Sequence, residues 1–523
     1  MAGSSDGNDI TNVVIVGGGT AGWMAATALS KYFADGRRRF TLVESDAIGI
    51  VGVGEATIPP IKTFNQLLDI DENEFLRETK GTFKLGIEFR NWGRPGDRYF
   101  HPFGGHGQDL HGIQFHQLWL RERARGGAVG EIGDYSMCTM AAALGRAARP
   151  SPAAKSVVSQ LAYAYHFDAS LYAAFLRQRA ERQGTERREG RIVQVHRHGE
   201  SGDVTAVELE DGSLIEGDLF IDCSGFRGLL IEETLGTGYE DWSHWLPMDR
   251  ALAVPTANLG SPDPYTRATA HAAGWQWRIP LQHRTGNGHV FSSKFMERDE
   301  AERILLANLE GEVLAEPREL RFLTGVRRKT WNHNVIALGL ASGFIEPLES
   351  TSIHLIQNGI QRLFALFPDK AISPVERDHY NEGMHATYED VRDFVILHYK
   401  ATQRDDTPFW RYVRDMPVPD SLTRRMELWR LHARVFREEA ELFAVPSWVA
   451  VMLGQNLVPE RHDPIADTLD PERVASALAQ MRADYRTTAE ALPTQEQFLR
   501  QAGAWADDAA SAAAIPGWSF AAQ

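Results

Sequence analysis

The chain has 523 residues, 43% of them hydrophobic and 10% aromatic, enough to fill two or three cores. Lys plus Arg number 55 against 70 Asp plus Glu, a formal net charge of -15, which sets aside nucleic acid and anionic membrane as partners and favours small molecules. Cys138 and Cys223 are the only cysteines, too few for a disulfide framework and too far apart for a zinc site, so no metal is expected and a reducing, cytoplasmic compartment fits.

Residues 1–8 are small and polar with no leader pattern, and no window approaches the apolar length of a bilayer span. Residues 11–16 form a short apolar run that stops at Gly17-Gly18-Gly19, after which Trp23, Ala26, Ala28 and Leu29 recur at helical spacing. That predicts strand, tight turn, helix. A second strand over residues 40–43 ends at Glu44, and residues 49–60 are a loop rich in Gly and Pro, so the first sixty residues read as a βαβ unit. From 83 to 89 the chain alternates, with Phe83, Leu85, Ile87 and Phe89 on one face and Lys84, Gly86 and Glu88 on the other, which predicts one half-buried strand. Residues 171–182 are helical by pattern. Residues 191–195 and 204–209 read as strands joined by a turn at 200–203, and 219–222 as a buried strand closed by Ser224-Gly225. After Pro347 amphipathic helix takes over. Ile353, Ile356, Ile360, Leu363, Phe364 and Phe367 share one face; Leu422, Met426, Trp429, Ala433, Phe436, Ala440 and Phe443 make one long stripe; Val474, Leu478, Met481 and Tyr485 make another. Pro-rich breaks at 416–419 and 457–464 separate them, and residues 502–514 are an alanine-rich end.

Gly17-Gly18-Gly19-Thr20-Ala21-Gly22 fits G-x-G-x-x-G, with Glu44 at the expected distance on the end of the second strand. The glycines serve the turn, the approach of a pyrophosphate and helix-on-sheet packing. The phosphates lie at the helix N-terminus, and Glu44 accepts ribose hydroxyls. The motif alone does not choose between FAD and NAD. Residues 217–225 (G-D-L-F-I-D-C-S-G) and 335–339 (V-I-A-L-G) resemble the second and third flavin-contacting strands of FAD hydroxylases, which implies FAD. No second G-x-G-x-x-G appears, so the flavin is expected to arrive as FADH2 from a separate flavin reductase.

Trp275-Gln276-Trp277-Arg278-Ile279-Pro280 is W-x-W-x-I-P, two tryptophans on one face of a strand, which by itself is no more than a core wall. Taken with the glycine motif it resembles the signature of the flavin-dependent tryptophan halogenase family. The resemblance extends to G-V-G-E-A-T-I-P at 52–59, Phe83-Lys84 through Asn91-Trp92, His101-Pro102-Phe103-Gly104, G-F-I-E-P-L-E-S-T at 343–351 and R-D-D-T-P-F-W at 404–410. It spans most of residues 12 to 500.

The resemblance implies that reduced flavin and dioxygen convert halide into hypohalous acid, which travels through a tunnel to a lysine beside an aromatic substrate. It makes Lys84 that lysine, acting either by hydrogen-bonding the hypohalous acid or by carrying the halogen as a haloamine. Without it, an exposed strand lysine is the default. Glu349 is implied as the carboxylate that polarises the electrophile or accepts the arenium proton, where the bland reading is a helix-start carboxylate. Trp275 and Trp277 are implied to bar the substrate from the flavin. His101, Phe103, Ser350 and Trp448 line the substrate pocket, and Ala56, Leu340 and Ile353 join the glycine loop in contacting the flavin. Halide binding also has a physical rationale: Thr351 and Ser352 open a helix, so their backbone N–H groups face any nearby anion. The family usually has Gly where this chain has Ser352. Ser350 as a simple N-cap is a compatible alternative.

Members of the family that halogenate free tryptophan clamp its amino acid group with a Tyr-Tyr pair and a carboxylate. Aligned on Leu457-Val458-Pro459, the tyrosine positions here are Trp448 and Val449, and the preceding insert is shortened to residues 435–446. The clamp is absent, so an indole, phenol, pyrrole or peptide-like aromatic is the expected substrate. Competing readings are an FAD-dependent aromatic hydroxylase and a flavin-binding protein without turnover. The expected fold is α/β: a Rossmann-type FAD-binding part over residues 10–360 that includes a mixed substrate sheet, and a mainly helical part over 361–523 that closes the pocket. Native substrate, regiochemistry, halide preference and a homodimer stay open.

Overall fold

A computed structural model of the chain describes residues 7–48, 54–151, 156–437 and 441–506. Gly52 and Val53, and residues 507–514 of the alanine-rich end, lie outside them. The strand Asn12–Val16 sits inside a six-stranded sheet, with Arg39–Glu44 parallel on one side and Leu219–Asp222 parallel on the other. Val13 to Val16 are all buried, the mark of a strand covered on both faces, which explains a continuous apolar run in place of alternation. Beyond Leu219–Asp222 lies Val335–Ala337, again parallel, so the three expected flavin strands share one sheet. The helix Thr20–Tyr32 follows the glycine turn and completes the βαβ unit.

A seven-stranded sheet runs in the order 318–321, 250–256, 285–291, 274–280, 266–270, 86–90, 98–102. A three-stranded sheet of 54–56, 164–168 and 82–84 stands beside it. Residues 83–89 therefore do not form one half-buried strand. Thr82–Lys84 pairs with Ala164–Asp168 in the small sheet, and Gly86–Arg90 pairs with 98–102 and 266–270 in the large one. Leu85 joins them, donating to Pro264 O and accepting from Phe103 N. Both faces of the run are covered, so Lys84 and Glu88 are buried with their apolar neighbours.

Beyond Phe344 the described residues form helices and, apart from one bridge between Arg146 and Thr494, no strand. The helix Ser352–Ala365 ends before Phe367, which packs against Phe33 from outside it. The stripe that begins at Leu422 is shorter than its periodicity suggests. Helix Asp420–His432 stops because Ala433 turns left-handed (φ 53°), and the Ala433 carbonyl is held by Gln117 and His116. One hydrophobic cluster runs through Val13, Trp275, Ile353, Phe394 and Trp448, so the helical part packs onto the core of the sheets. Among the described residues no helix is long and apolar enough to cross a membrane.

Candidate active site

Lys84 ends its strand fully buried, opposite Ala164. Its Nζ donates to Ser350 Oγ at 2.7 Å and lies 5.0 Å from the centre of the Phe103 ring. Burial pushes the amine down to about 7, against the opposing pull of Glu349. The default of an exposed lysine is thus excluded. Ser350 is not an N-cap: it has φ 60°, closes the turn Pro347–Glu349, and spends its hydroxyl on Lys84. The N-cap of Ser352–Ala365 is Thr351, whose side chain makes no capping bond and whose Oγ1 is buried without a partner.

Glu349 is buried between two imidazoles. His101 Nδ1, on the strand Arg98–Pro102, lies 3.1 and 3.0 Å from its two oxygens, and His398 Nε2, on the helix Pro374–Lys400, lies 2.8 Å from Oε1. His398 Nδ1 sits 2.9 Å from Phe394 O. A carbonyl only accepts, so Nδ1 carries a hydrogen and the ring is turned with Nε2 toward Glu349. Burial pushes Glu349 up, and His101 and His398 more than reverse it, holding the carboxyl at about 2.

The walls around this centre are aromatic. Phe394 lies 5.6 Å from His101, 4.9 Å edge-on to Trp448 and 3.8 Å in a stack with Phe443. Trp275 and Trp277 lie on the strand Gly274–Pro280 with ring centres 6.2 Å apart, both buried. Trp275 Nε1 donates to Glu346 Oε1 at 2.9 Å, and Tyr399 OH donates to the same oxygen.

The glycine turn has the shape the motif requires. Gly17 has φ 105°, and a Cβ there would fall 2.3 Å from Cys223 O on the neighbouring strand. A Cβ on Gly18 would fall 1.4 Å from Glu44 Oε2, so the Glu44 carboxylate leans over the turn while Arg187 Nε holds its Oε1 at 2.5 Å. The turn Gly339–Ala341, which carries Leu340, touches this loop: a Cβ on Gly339 would meet Ala21 at 2.9 Å and Ile356 at 3.6 Å. Ala56 ends the strand Gly54–Ala56, which pairs with Ala164–Asp168, the partner of the Lys84 strand.

The family profile for tryptophan halogenases matches residues 12–471. The chain belongs to the tryptophan halogenase family. This halogenase is 34% identical to the tryptophan 6-halogenase of Streptomyces toxytricini over 94% of this chain and 98% of that enzyme. It is 34% identical, over the same shares, to the tryptophan 7-halogenase of Lentzea aerocolonigenes. Among solved structures, a flavin-dependent halogenase from Xanthomonas campestris superposes with a TM-score of 0.91 at 51% identity, covering 94% of this chain and 98% of that one. One from a Brevundimonas species gives 0.91 at 47%, covering 95% and 99%.

The halogenase is a flavin-dependent enzyme of α/β fold, with FAD as cofactor and halide as co-substrate. Its residues fit the flavin. Gly19 precedes the helix with open space where a Cβ would be and no capping side chain, so helix N–H groups are left for a pyrophosphate. His398, Phe394 and Tyr399 escaped the sequence reading, which placed Phe443 in a helical stripe and Glu346 in a motif without giving either a part in the site. The fully apolar run around residues 394–397 signals a helix buried all round, but nothing in its spacing says that His398 and Tyr399 face carboxylates.

Proposed function

We propose that this halogenase takes FADH2 from a separate flavin reductase and uses dioxygen and chloride or bromide to halogenate an electron-rich aromatic such as an indole, with Lys84 and Glu349 as its catalytic residues. The observation that carries this reading is an amine sealed from water on Ser350, next in sequence to a carboxylate held between two histidines. Bound reduced flavin supplies, with dioxygen, the oxidation of halide to hypohalous acid. Gly17 to Gly22, Glu44, Ala56, Leu340 and Ile353 hold that cofactor, and the amides of Thr351 and Ser352 hold the halide.

Lys84 then orients the hypohalous acid through a hydrogen bond, or carries its halogen on nitrogen. At the ring, the carbon–halogen bond forms as the halogen–oxygen or halogen–nitrogen bond breaks, its electron pair staying on oxygen or nitrogen. The ring proton leaves to Glu349, and the acidity of an arenium ion makes a carboxylate held near 2 a sufficient base. Trp275 and Trp277 keep the arene from the flavin, while His101, Phe103, Phe394, Phe443 and Trp448 enclose it. Residues 361–523 act as the helical part that closes this pocket over the flavin-binding part, 10–360.

Trp448 and Val449 stand where a Tyr-Tyr clamp is expected, so free tryptophan is a poor substrate for this enzyme although the relatives above are named for it. The test is incubation with a flavin reductase, FAD, NADH and bromide or chloride over a panel of arenes, read by the halogen isotope pattern. Indole is expected to outcompete tryptophan, and Lys84→Ala to lose product while still binding FAD. A large preference for tryptophan would overturn the substrate reading, and oxygenated product the reaction itself.

A further inference from the structure

Glu346 lies three residues before Glu349, at the head of the same turn, and its surroundings are the reverse. It is fully buried. The groups that face it are Trp275, from the strand Gly274–Pro280, and Tyr399, from the helix Pro374–Lys400. Both donate to Oε1, leaving Oε2 buried without a partner. Among the described residues no arginine, lysine or histidine bonds to it, and Glu349, which does have histidines, is the nearest acid along the chain.

We infer that Glu346 is a second functional carboxyl group of this enzyme: a positioning residue that locks the Trp275 indole through Oε1 and presents an O–H donor from Oε2 to halide or hypohalous acid on its way to Lys84. The inference rests on the halogenation proposed above. With both available hydrogen bonds on one oxygen, the other is the atom that holds the proton. A neutral carboxyl donates to the oxygen of hypohalous acid, whereas an ionised one repels halide and hypohalite. Burial raises Glu346 to about 7 while its neighbour is held at about 2. Two carboxyls driven apart by their settings are the usual mark of divided acid and base duties.

Glu346→Gln tests this because the amide reproduces the protonated group: its carbonyl accepts from Trp275 and Tyr399, and its NH2 stands at Oε2. In the protein without flavin, infrared difference spectra between about pH 5 and pH 9 read buried carboxylic acids directly. Glu55 and Asp390, also raised by burial, contribute bands of their own, so the comparison is wild type minus E346Q. One acid C=O band with a midpoint near 7 is expected to vanish in the variant. In turnover, wild-type product per reduced flavin consumed should fall about tenfold per pH unit above that midpoint, and E346Q should lose this limb. Tyr399→Phe removes a hydrogen bond that favours the ionised form, so band midpoint and turnover limb should move together to higher pH. Loss of no band in E346Q, or a turnover limb that neither variant moves, overturns the inference. Wild-type enzyme that halogenates nothing in the same assay overturns the proposed reaction instead.

Discussion

Lys84 is a buried amine that the fold carries at a loss. Its amine is lowered to about 7, so between roughly pH 7 and the ordinary lysine value near 10.5 the folded chain binds fewer protons than the unfolded one. The penalty grows as pH falls through that window and is complete below it. Lys84→Met should therefore abolish product, retain FAD and raise stability by about 1–3 kcal/mol near pH 6, with the gain disappearing above about pH 10. Paired thermal melts at the two pH values check it. Glu349→Gln acts on the other partner. It takes away the proposed arenium base and the carboxylate that His101 and His398 face, so kcat should fall by about 10²-fold or more with indole, measured at saturating halide.

At the scale of elements, the glycine turn shows how closely the loop is built. Gly18→Ala places a methyl where Glu44 Oε2 now lies, so the carboxylate must swing away from the turn. The FAD dissociation constant should rise at least about tenfold with the far-ultraviolet spectrum unchanged. This turn was legible because its glycines, its apolar strand and Glu44 are consecutive or evenly spaced in the chain. The run 83–89 was legible as extended but not as two strands, since alternation reports one exposed face and here both faces are covered. The stripe from Leu422 was overextended because a left-handed Ala433, held from His116 and Gln117 more than three hundred residues earlier, has no local signature. Lys84 and Glu349 entered through a family resemblance. Glu346 entered only as a letter of the same motif and His398 not at all, because their meaning depends on which carboxylate or indole stands opposite, a fact of tertiary packing.

Across the whole molecule, the ion pair between Arg284 and Asp168 ties the small sheet to the large one. Arg284 Nη2 reaches Asp168 Oδ2 at 2.7 Å from the turn that joins strands 274–280 and 285–291 of the large sheet, while Asp168 also caps the helix Ala169–Arg182. Burial pushes the Asp168 carboxyl up, and His283 and Arg284 hold it well below the usual range. Arg284→Leu leaves that charge to His283 and the first amides of the helix, and should cost at most about 3–5 kcal/mol in chemical denaturation.

That tie matters because the Lys84 nitrogen stands at a joint. Lys84 is the last residue of its strand in one sheet, and after Leu85 alone the chain enters the other, which also carries Trp275 and Trp277. Any slippage between the two slabs is therefore a displacement of the proposed halogen donor against its proposed screen. Mutations that soften this seam to admit bulkier arenes will blur the site of attack on the ring at the same time, so scope and regiochemical fidelity trade against each other through a single mechanical coordinate.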